Sequence, residues 1–176
     1  MKYSPKDMIT AIKDGNVELV RLIISAEPEL LHLNTPLGSW LHIATEKGQT
    51  EIVELLLELG MDVNVQGGPS KNMPINVAAY LGNLGLVNLF LDKNVVFDVS
   101  EPDRNPLFAA IHGGHIDVAA VLLNAGIDAN VRYSGATMRN MGAAEFALEW
   151  GQIEIAEMIK KLNDKTMLSL AHLRSI

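Results

Sequence analysis

The residues best suited to chemistry in this sequence are its histidines, two of which stand three positions apart in His112-Gly113-Gly114-His115. Such a pair can supply two ligands to zinc, but a zinc site needs three or four donors in a closed set. The chain has no cysteine, and no nearby cluster of histidines and carboxylates completes the set. We therefore expect neither a metal nor another cofactor, and we interpret the two glycines as a turn between helices.

Acidic side chains offer another route to chemistry, and Glu51, Glu54 and Glu58 recur at the spacing of one helix face. A row of this kind is more often a solvated surface than a catalytic pair. The sequence contains no Gly-x-Ser-x-Gly elbow and neither of the glycine-rich motifs that hold phosphate groups. We therefore expect no enzyme activity.

The elements around these residues recur along the chain. One glycine recurs at steps of 33, 34, 32 and 37 residues, as Gly15, Gly48, Gly82, Gly114 and Gly151. Four positions before each glycine stands an alanine: Ala11, Ala44, Ala78, Ala110 and Ala147. Twelve positions after it, the later repeats have residues that tolerate a left-handed backbone at a helix end: Gly60, Asn94, Gly126 and Asn163. This pattern predicts five repeats, each made of two short helices and a turn.

One of the two most regular repeats opens with Ser39-Trp40-Leu41-His42-Ile43-Ala44, which is close to Thr-Pro-Leu-His-x-Ala. Gly48, an apolar run from Ile52 to Leu57, Gly60 and Asp62-Val63-Asn64 follow. In these features the chain resembles the ankyrin repeat family. The resemblance implies an all-α solenoid of paired antiparallel helices with hairpin-like fingers. It also implies that the His42 imidazole braces the turn between repeats.

We expect one domain, residues 1–176, with the first and last repeats acting as atypical caps. The predicted repeats are approximately residues 4–34, 35–67, 68–100, 101–131 and 132–163. The fifth repeat begins with a longer finger at residues 132–141, and its last helix is predicted from about Ile153 to Leu162. The segment 164–176 follows, in which Met167 to Leu173 could form one more helix over the exposed end of the stack.

The net charge of −7, from 21 acidic and 14 basic residues, disfavours nucleic acid as a partner. It favours a neutral or basic protein partner. No stretch of 18 apolar residues is present, so we expect no membrane span. The absence of cysteine and of an apolar signal core favours a cytoplasmic protein, which we expect to be monomeric apart from its partner.

The resemblance implies that the fingers and the exposed ends of the first helices line one concave side. The candidate partner-binding residues at the helix ends are Asp14, Glu46, Lys47, Tyr80, Leu81, His112, Glu149 and Trp150. Those on the fingers are Glu101, Asp103, Arg104, Tyr133 and Arg139. Tyr80 and Trp150 are the predicted anchors, because Trp and Tyr are enriched among interface hot spots.

Two aromatic residues have alternative interpretations. Trp150 could instead pack against the C-terminal segment. Trp40 replaces the motif proline, so it could either pack beside the apolar loop residues Leu30, Leu31 and Leu33 or contact a partner.

Three hypotheses for function follow. The first is a non-enzymatic protein-binding module that holds a partner in its concave face, with inhibition of that partner as one form of this role. The second is an immunity or antitoxin-type inhibitor of a basic toxin or enzyme. The third is an enzyme or small-molecule binder that uses the 132–141 finger.

Overall fold

The computed structural model describes residues 2–135 and 138–173, which form ten α-helices arranged in pairs. The first helices of the five pairs are α1 Pro5–Lys13, α3 Trp40–Glu46, α5 Pro74–Tyr80, α7 Pro106–Gly113 and α9 Ala143–Glu149. The second helices are α2 Val17–Ala26, α4 Thr50–Glu58, α6 Leu84–Asp92, α8 Ile116–Asn124 and α10 Ile153–Leu173. Short 3-10 turns lie at Pro28–Leu30 and Pro102–Arg104. The predicted all-α repeat fold is confirmed.

Local sequence signals set the helix starts. Helix α1 begins after Ser4, whose backbone N–H and hydroxyl donate to the Asp7 carboxylate at 2.8 and 2.6 Å. These hydrogen bonds hold the pKa of the Asp7 carboxyl below its usual value. Asn16 and Asn83 cap α2 and α6 by accepting backbone N–H bonds.

The recurring glycines join the helices of each pair. All five have positive φ angles, between 66° and 75°. Where the second helices end, Gly60, Asn94 and Gly126 have φ angles of 97°, 57° and 87°. Their positions therefore follow from backbone sterics, because residues with a bulkier side chain rarely adopt this conformation.

The last repeat differs from this prediction at Asn163, which lies inside α10. That helix continues without a break to Leu173, so residues 167–173 belong to it and do not form a separate helix. The prediction of a helix end at Asn163 is wrong, because no glycine or proline stands among residues 164–173 to stop the helix.

Stacked repeats build the core. The first helices pack on one another from α1 through α9, while the second helices pack in a parallel layer, as α2 does on α4 and α6 on α8. The recurring alanine of each first helix is fully buried. A small side chain at this position lets neighbouring helices approach closely, since packed interiors tolerate little added volume.

Each later first helix is preceded by a finger, which we number by its repeat. A single antiparallel bridge closes finger 2 at Thr35 and Gly38, finger 3 at Gly67 and Asn72, and finger 5 at Tyr133 and Met141. Finger 4 contains the 3-10 turn instead. The described fingers are hairpin-like without extended strands.

His42 braces finger 3, as the resemblance implied. Its Nδ1 accepts the Ser39 backbone N–H at 3.2 Å, so the proton resides on Nε2, which donates to the Asn72 carbonyl at 3.0 Å. Burial lowers the pKa of His42, while the bond to Asn72 opposes that shift. The neutral imidazole therefore connects repeat 2 to repeat 3.

Trp40 is a core residue. The side chain is fully buried, and its Nε1 donates to the Leu30 carbonyl at 2.6 Å. Leu30 and Leu31 are buried as well. Of the two interpretations of Trp40, the structure supports packing beside the repeat 1 loop.

Candidate partner-binding surface

Two adjoining grooves run along the side of the molecule where fingers meet first helices. The larger, which we call the finger groove, has a volume of about 340 Å³ and is lined by fingers 3 to 5 and by α5, α7 and α9. The smaller, of about 190 Å³, is lined by Leu37, Glu46 and finger 3. Both include Ser70, Asn72 and Val77, so they form one continuous surface over repeats 2 to 5.

Three exposed rings form a row at the ends of α5, α7 and α9; Tyr80 and His112 line the finger groove, and Trp150 extends the row beyond it. The ring centroids of Tyr80 and His112 are 5.2 Å apart, and those of His112 and Trp150 are 4.1 Å apart. Tyr80 and Trp150 are 48% and 47% exposed. We call these three residues the aromatic row; it brings together three candidates that the sequence places in different repeats.

Buried rings support the aromatic row from below. Phe108 stacks on Phe146 with centroids 4.7 Å apart, and Phe146 in turn lies 5.9 Å from Trp150. Within the part of the chain that the structure describes, the ring partners of Trp150 are therefore on α7 and α9. Sequence reasoning missed Phe108 and Phe146, although Phe108 occupies the motif position of His42 and could have signalled a different interior for repeat 4.

Tyr133 is not part of the exposed surface. It is only 8% exposed, its ring lies edge-on to Phe108 at 5.0 Å, and burial raises its pKa. Its hydroxyl donates to the Val99 carbonyl at 2.8 Å and accepts from Asn105 Nδ2 at 3.0 Å. The prediction that Tyr133 contacts a partner is wrong, because the side chain anchors finger 5 to finger 4.

Arg104 is half-buried and engaged within the chain. Its Nε donates to the Ser70 carbonyl at 3.3 Å, and its Nη1 donates to the Ser100 hydroxyl at 3.2 Å and lies 3.9 Å from the Asp98 carboxylate. Hydrogen bonds from Ser100, and then the charge of Arg104, lower the pKa of Asp98. Arg104 therefore fixes finger 4 against finger 3, a role that its place in the sequence did not indicate.

The remaining exposed candidates differ in position. Glu46 and Asp103 line the grooves, whereas the other exposed candidates line neither of them: Asp14, Lys47, Leu81, Glu101, Arg139 and Glu149. The Lys47 ammonium lies 2.8 Å from the Glu46 carboxylate, a contact between exposed groups that contributes little to stability. Within residues 2–135 and 138–164, Asp103 forms no ion pair or hydrogen bond.

The two histidines of the His-x-x-His motif serve separate contacts. His115 Nε2 lies 3.0 Å from the Tyr80 carbonyl oxygen, while the His112 ring belongs to the aromatic row. The described residues contain no group of three or more histidines and carboxylates placed to hold a metal ion. None of the described helices combines the length and apolar character that crossing a membrane requires.

A family model described as ankyrin repeats, in three copies, matches residues 7–67 and 75–168. This chain is an ankyrin-repeat protein. Ankyrin repeats are protein–protein interaction modules, and the family is typically non-enzymatic.

Curated relatives share these repeats. The ankyrin chain is 40% identical over 124 residues to a probable E3 ubiquitin-protein ligase of Oryza sativa subsp. japonica, covering 68% of this chain and 24% of the relative. It is 28% identical over 160 residues to an ankyrin repeat and KH domain-containing protein of Caenorhabditis briggsae, covering 89% of this chain and 6% of the relative. It is 26% identical over 127 residues to a putative ankyrin repeat protein of Fowlpox virus, covering 71% and 29%. The chain thus spans less than a third of each of these three relatives.

The ankyrin repeats of this chain differ at the position of His42, which becomes Asn76, Phe108 and Glu145 in the later repeats. Phe108 joins the buried rings, and the Glu145 carboxylate accepts from Arg132 Nη2 at 2.9 Å, which lowers its pKa. Asn76 Oδ1 accepts the Met73 backbone N–H at 3.1 Å, but Asn76 Nδ2 is buried and has no hydrogen-bond partner among the described residues. The imidazole brace is therefore not repeated in repeats 3 to 5.

Proposed function

We propose that this ankyrin chain is a non-enzymatic binding module that holds a protein partner along the surface formed by the two grooves and the aromatic row. The observation that carries the proposal is the row of Tyr80, His112 and Trp150 beside the finger groove. Exposed Trp and Tyr side chains on a rigid support supply much contact area at a small loss of conformational entropy. The buried rings below supply that rigidity.

The charge of the grooves supports a neutral or basic partner. Among the residues lining the two grooves, the charged ones are Glu46 and Asp103, and both are acidic. A partner that presents a basic functional surface here would be covered and therefore inhibited. An immunity or antitoxin-type role is the special case in which the covered partner is a basic toxin or enzyme.

The contacts within finger 5 favour a structural role for this finger over a catalytic one. Arg132 Nε donates to the Asn140 carbonyl at 2.9 Å while its guanidinium also pairs with Glu145. Together with Tyr133, these contacts use the polar groups of the finger to hold its own shape. No contact within the described part of finger 5 favours the enzyme or small-molecule hypothesis.

Affinity capture with a matched bait tests the proposed function. Wild-type protein and a Tyr80→Ala/Trp150→Ala double variant are used as baits, with Glu54→Gln on the outer helix α4 as the control. We expect a partner that wild type and Glu54→Gln retain and the double variant loses, confirmed by titration of the purified pair. If every protein retained by wild type is retained equally by the double variant, the proposed surface is wrong.

A further inference from the structure

Asn76 occupies the position in repeat 3 that corresponds to His42 in repeat 2. In repeat 2 the imidazole spans the gap from α3 to finger 3 and reaches the Asn72 carbonyl at 3.0 Å. Asn76 is a shorter side chain, and the equivalent gap between α5 and finger 4 is part of the finger groove, lined by Asn76, Pro102 and Asp103. The groove of repeat 2, which the His42 brace itself lines, is smaller, at about 190 Å³ against about 340 Å³.

Asn76, which lines this groove, carries a buried hydrogen-bond donor with no partner in the described part of the chain. Asn76 is only 3% exposed, and its Nδ2 has no partner within the described residues. A buried donor left unpaired is unfavourable, so most such donors in native proteins have a partner. An acceptor oxygen from a bound molecule would satisfy it.

The walls of the finger groove carry one carboxylate and two aromatic rings. The Asp103 carboxylate lines the groove without a partner in the described part of the chain, and the rings of Tyr80 and His112 line the same groove. The neighbouring Arg104 guanidinium is directed to Ser70 and Ser100. The exposed cation Lys71, on finger 3, does not line the groove.

We propose that the finger groove receives an arginine side chain from an extended segment of the partner protein. The guanidinium pairs with Asp103 and lies against Tyr80 and His112, and a backbone carbonyl of the same segment accepts from Asn76 Nδ2. Arginine fits better than lysine because its planar guanidinium stacks on aromatic rings and pairs with a carboxylate through two hydrogen bonds. This inference rests on the proposed function and deepens it.

Titration of the full-length protein, labelled with nitrogen-15, with blocked tripeptides tests this inference. The probes are acetyl-Gly-Arg-Gly-amide and the same peptide with lysine or with citrulline, which keeps the shape of arginine but not its charge. We expect saturable shifts of the Asn76 side-chain amide signals with the arginine peptide, weaker binding of the lysine peptide and at least about tenfold weaker binding of the citrulline peptide. No shift, or equal shifts with arginine and citrulline, overturns the proposal.

Two variants locate the site. Asn76→His restores the brace and fills the gap, so it should keep the thermal midpoint of wild type or raise it, and it should weaken binding of the arginine peptide by at least about tenfold. The matched control, Asn88→His, makes the same change at an exposed position of α6 and should bind as wild type does. Asp103→Asn, an exposed change that should not affect folding, should abolish the preference for arginine over citrulline. Wild-type binding by either Asn76→His or Asp103→Asn contradicts the proposal.

The outcomes also separate this inference from the proposed function. A partner whose binding depends on Tyr80 and Trp150, together with tripeptides that cause no shift, would leave the proposed function intact and overturn only the arginine site. A partner that binds the double variant as tightly as wild type overturns the proposed function itself.

Discussion

His112 and Trp150 belong to different repeats, yet their ring centroids lie 4.1 Å apart at an interplanar angle of 49°. The contact arises because stacking places the C-terminal end of α9 beside that of α7. Tyr80 extends the row from α5 in the same way. The edge-on Tyr80–His112 pair, at 5.2 Å, has a favourable aromatic geometry, and its contacts within the chain make the row a preorganised surface.

The register of the repeats can be tested at a helix end. Gly126 has a φ of 87°, and a Cβ built there would meet no atom within 4 Å. Gly126→Val should therefore destabilise the protein through backbone strain alone, by about 1–2 kcal/mol. Asn94→Gly, at the equivalent site of repeat 3, should change stability by less than about 1 kcal/mol. Urea unfolding measures both, and equal midpoints for wild type and Gly126→Val would contradict the assigned register.

Because His42 is buried in its neutral form, the free energy of unfolding should depend on pH. Because its folded pKa is lowered below the ordinary value of about 6.5, the unfolded chain binds the extra proton as pH falls. Stability from this group is complete above pH 6.5 and is lost progressively below that value, until the pH reaches the folded pKa. Wild type should lose more free energy of unfolding between pH 7.5 and 5.5 than His42→Gln loses.

His32 supplies the control for that measurement, because it is exposed outside the helices. His32→Gln should keep the pH dependence of wild type. If His42→Gln and wild type lose stability in parallel over this range, the buried neutral imidazole is not responsible.

Tyr133 should act on stability and not on binding. Tyr133→Phe leaves the buried Asn105 amide and the Val99 carbonyl without the hydroxyl, so it should destabilise by about 1–3 kcal/mol. Thermal melts and titration against the partner measure the two effects separately. A stable variant with weakened binding would restore Tyr133 to the binding surface.

The acidic side chains near the grooves should act on the rate of association. Glu46→Gln and Glu101→Gln should each slow association by about two- to fivefold and flatten its dependence on salt, with little change in dissociation. Stopped-flow measurements at several ionic strengths test this. Glu54→Gln is the comparison, and an equal effect there would show that only the net charge matters.

The sequence predicts the repeat frame because its determinants are local. Gly48 and Asn94 occupy left-handed sites that few other residues tolerate, and Ser39 with His42 forms a short-range cap. Helix α10 begins at Ile153, where the pattern predicts the last helix to begin. Such features follow from backbone sterics and neighbouring residues.

The orientation of the finger side chains could not be predicted from the local sequence. Tyr133 and Arg104 stand in polar segments, and nothing in their immediate sequence shows that they turn inward to bond finger 4 and finger 3. Their orientation is decided by residues about one repeat away. The sequence also could not show that Asn76 Nδ2 lacks a partner within the described residues, because this depends on the distance from α5 to finger 4.

In the C-terminal helix, a local pattern predicted a feature that the structure does not have. Asn163 fits the spacing of a helix end but lies inside α10. In earlier repeats the left-handed residue is required because the chain must turn toward the next finger. Helix α10 passes through Asn163 without such a turn, because helix-forming residues continue on both sides of it.

Binding by the aromatic row is the central claim, and calorimetric titration of Tyr80→Ala and Trp150→Ala against the identified partner tests it most directly. Both side chains are about half exposed, so we expect each change to weaken binding by about 2 kcal/mol or more while thermal midpoints shift little. Unchanged affinity in folded variants would contradict the claim. So would a Trp150→Ala variant that unfolds while its folded fraction still binds as wild type does.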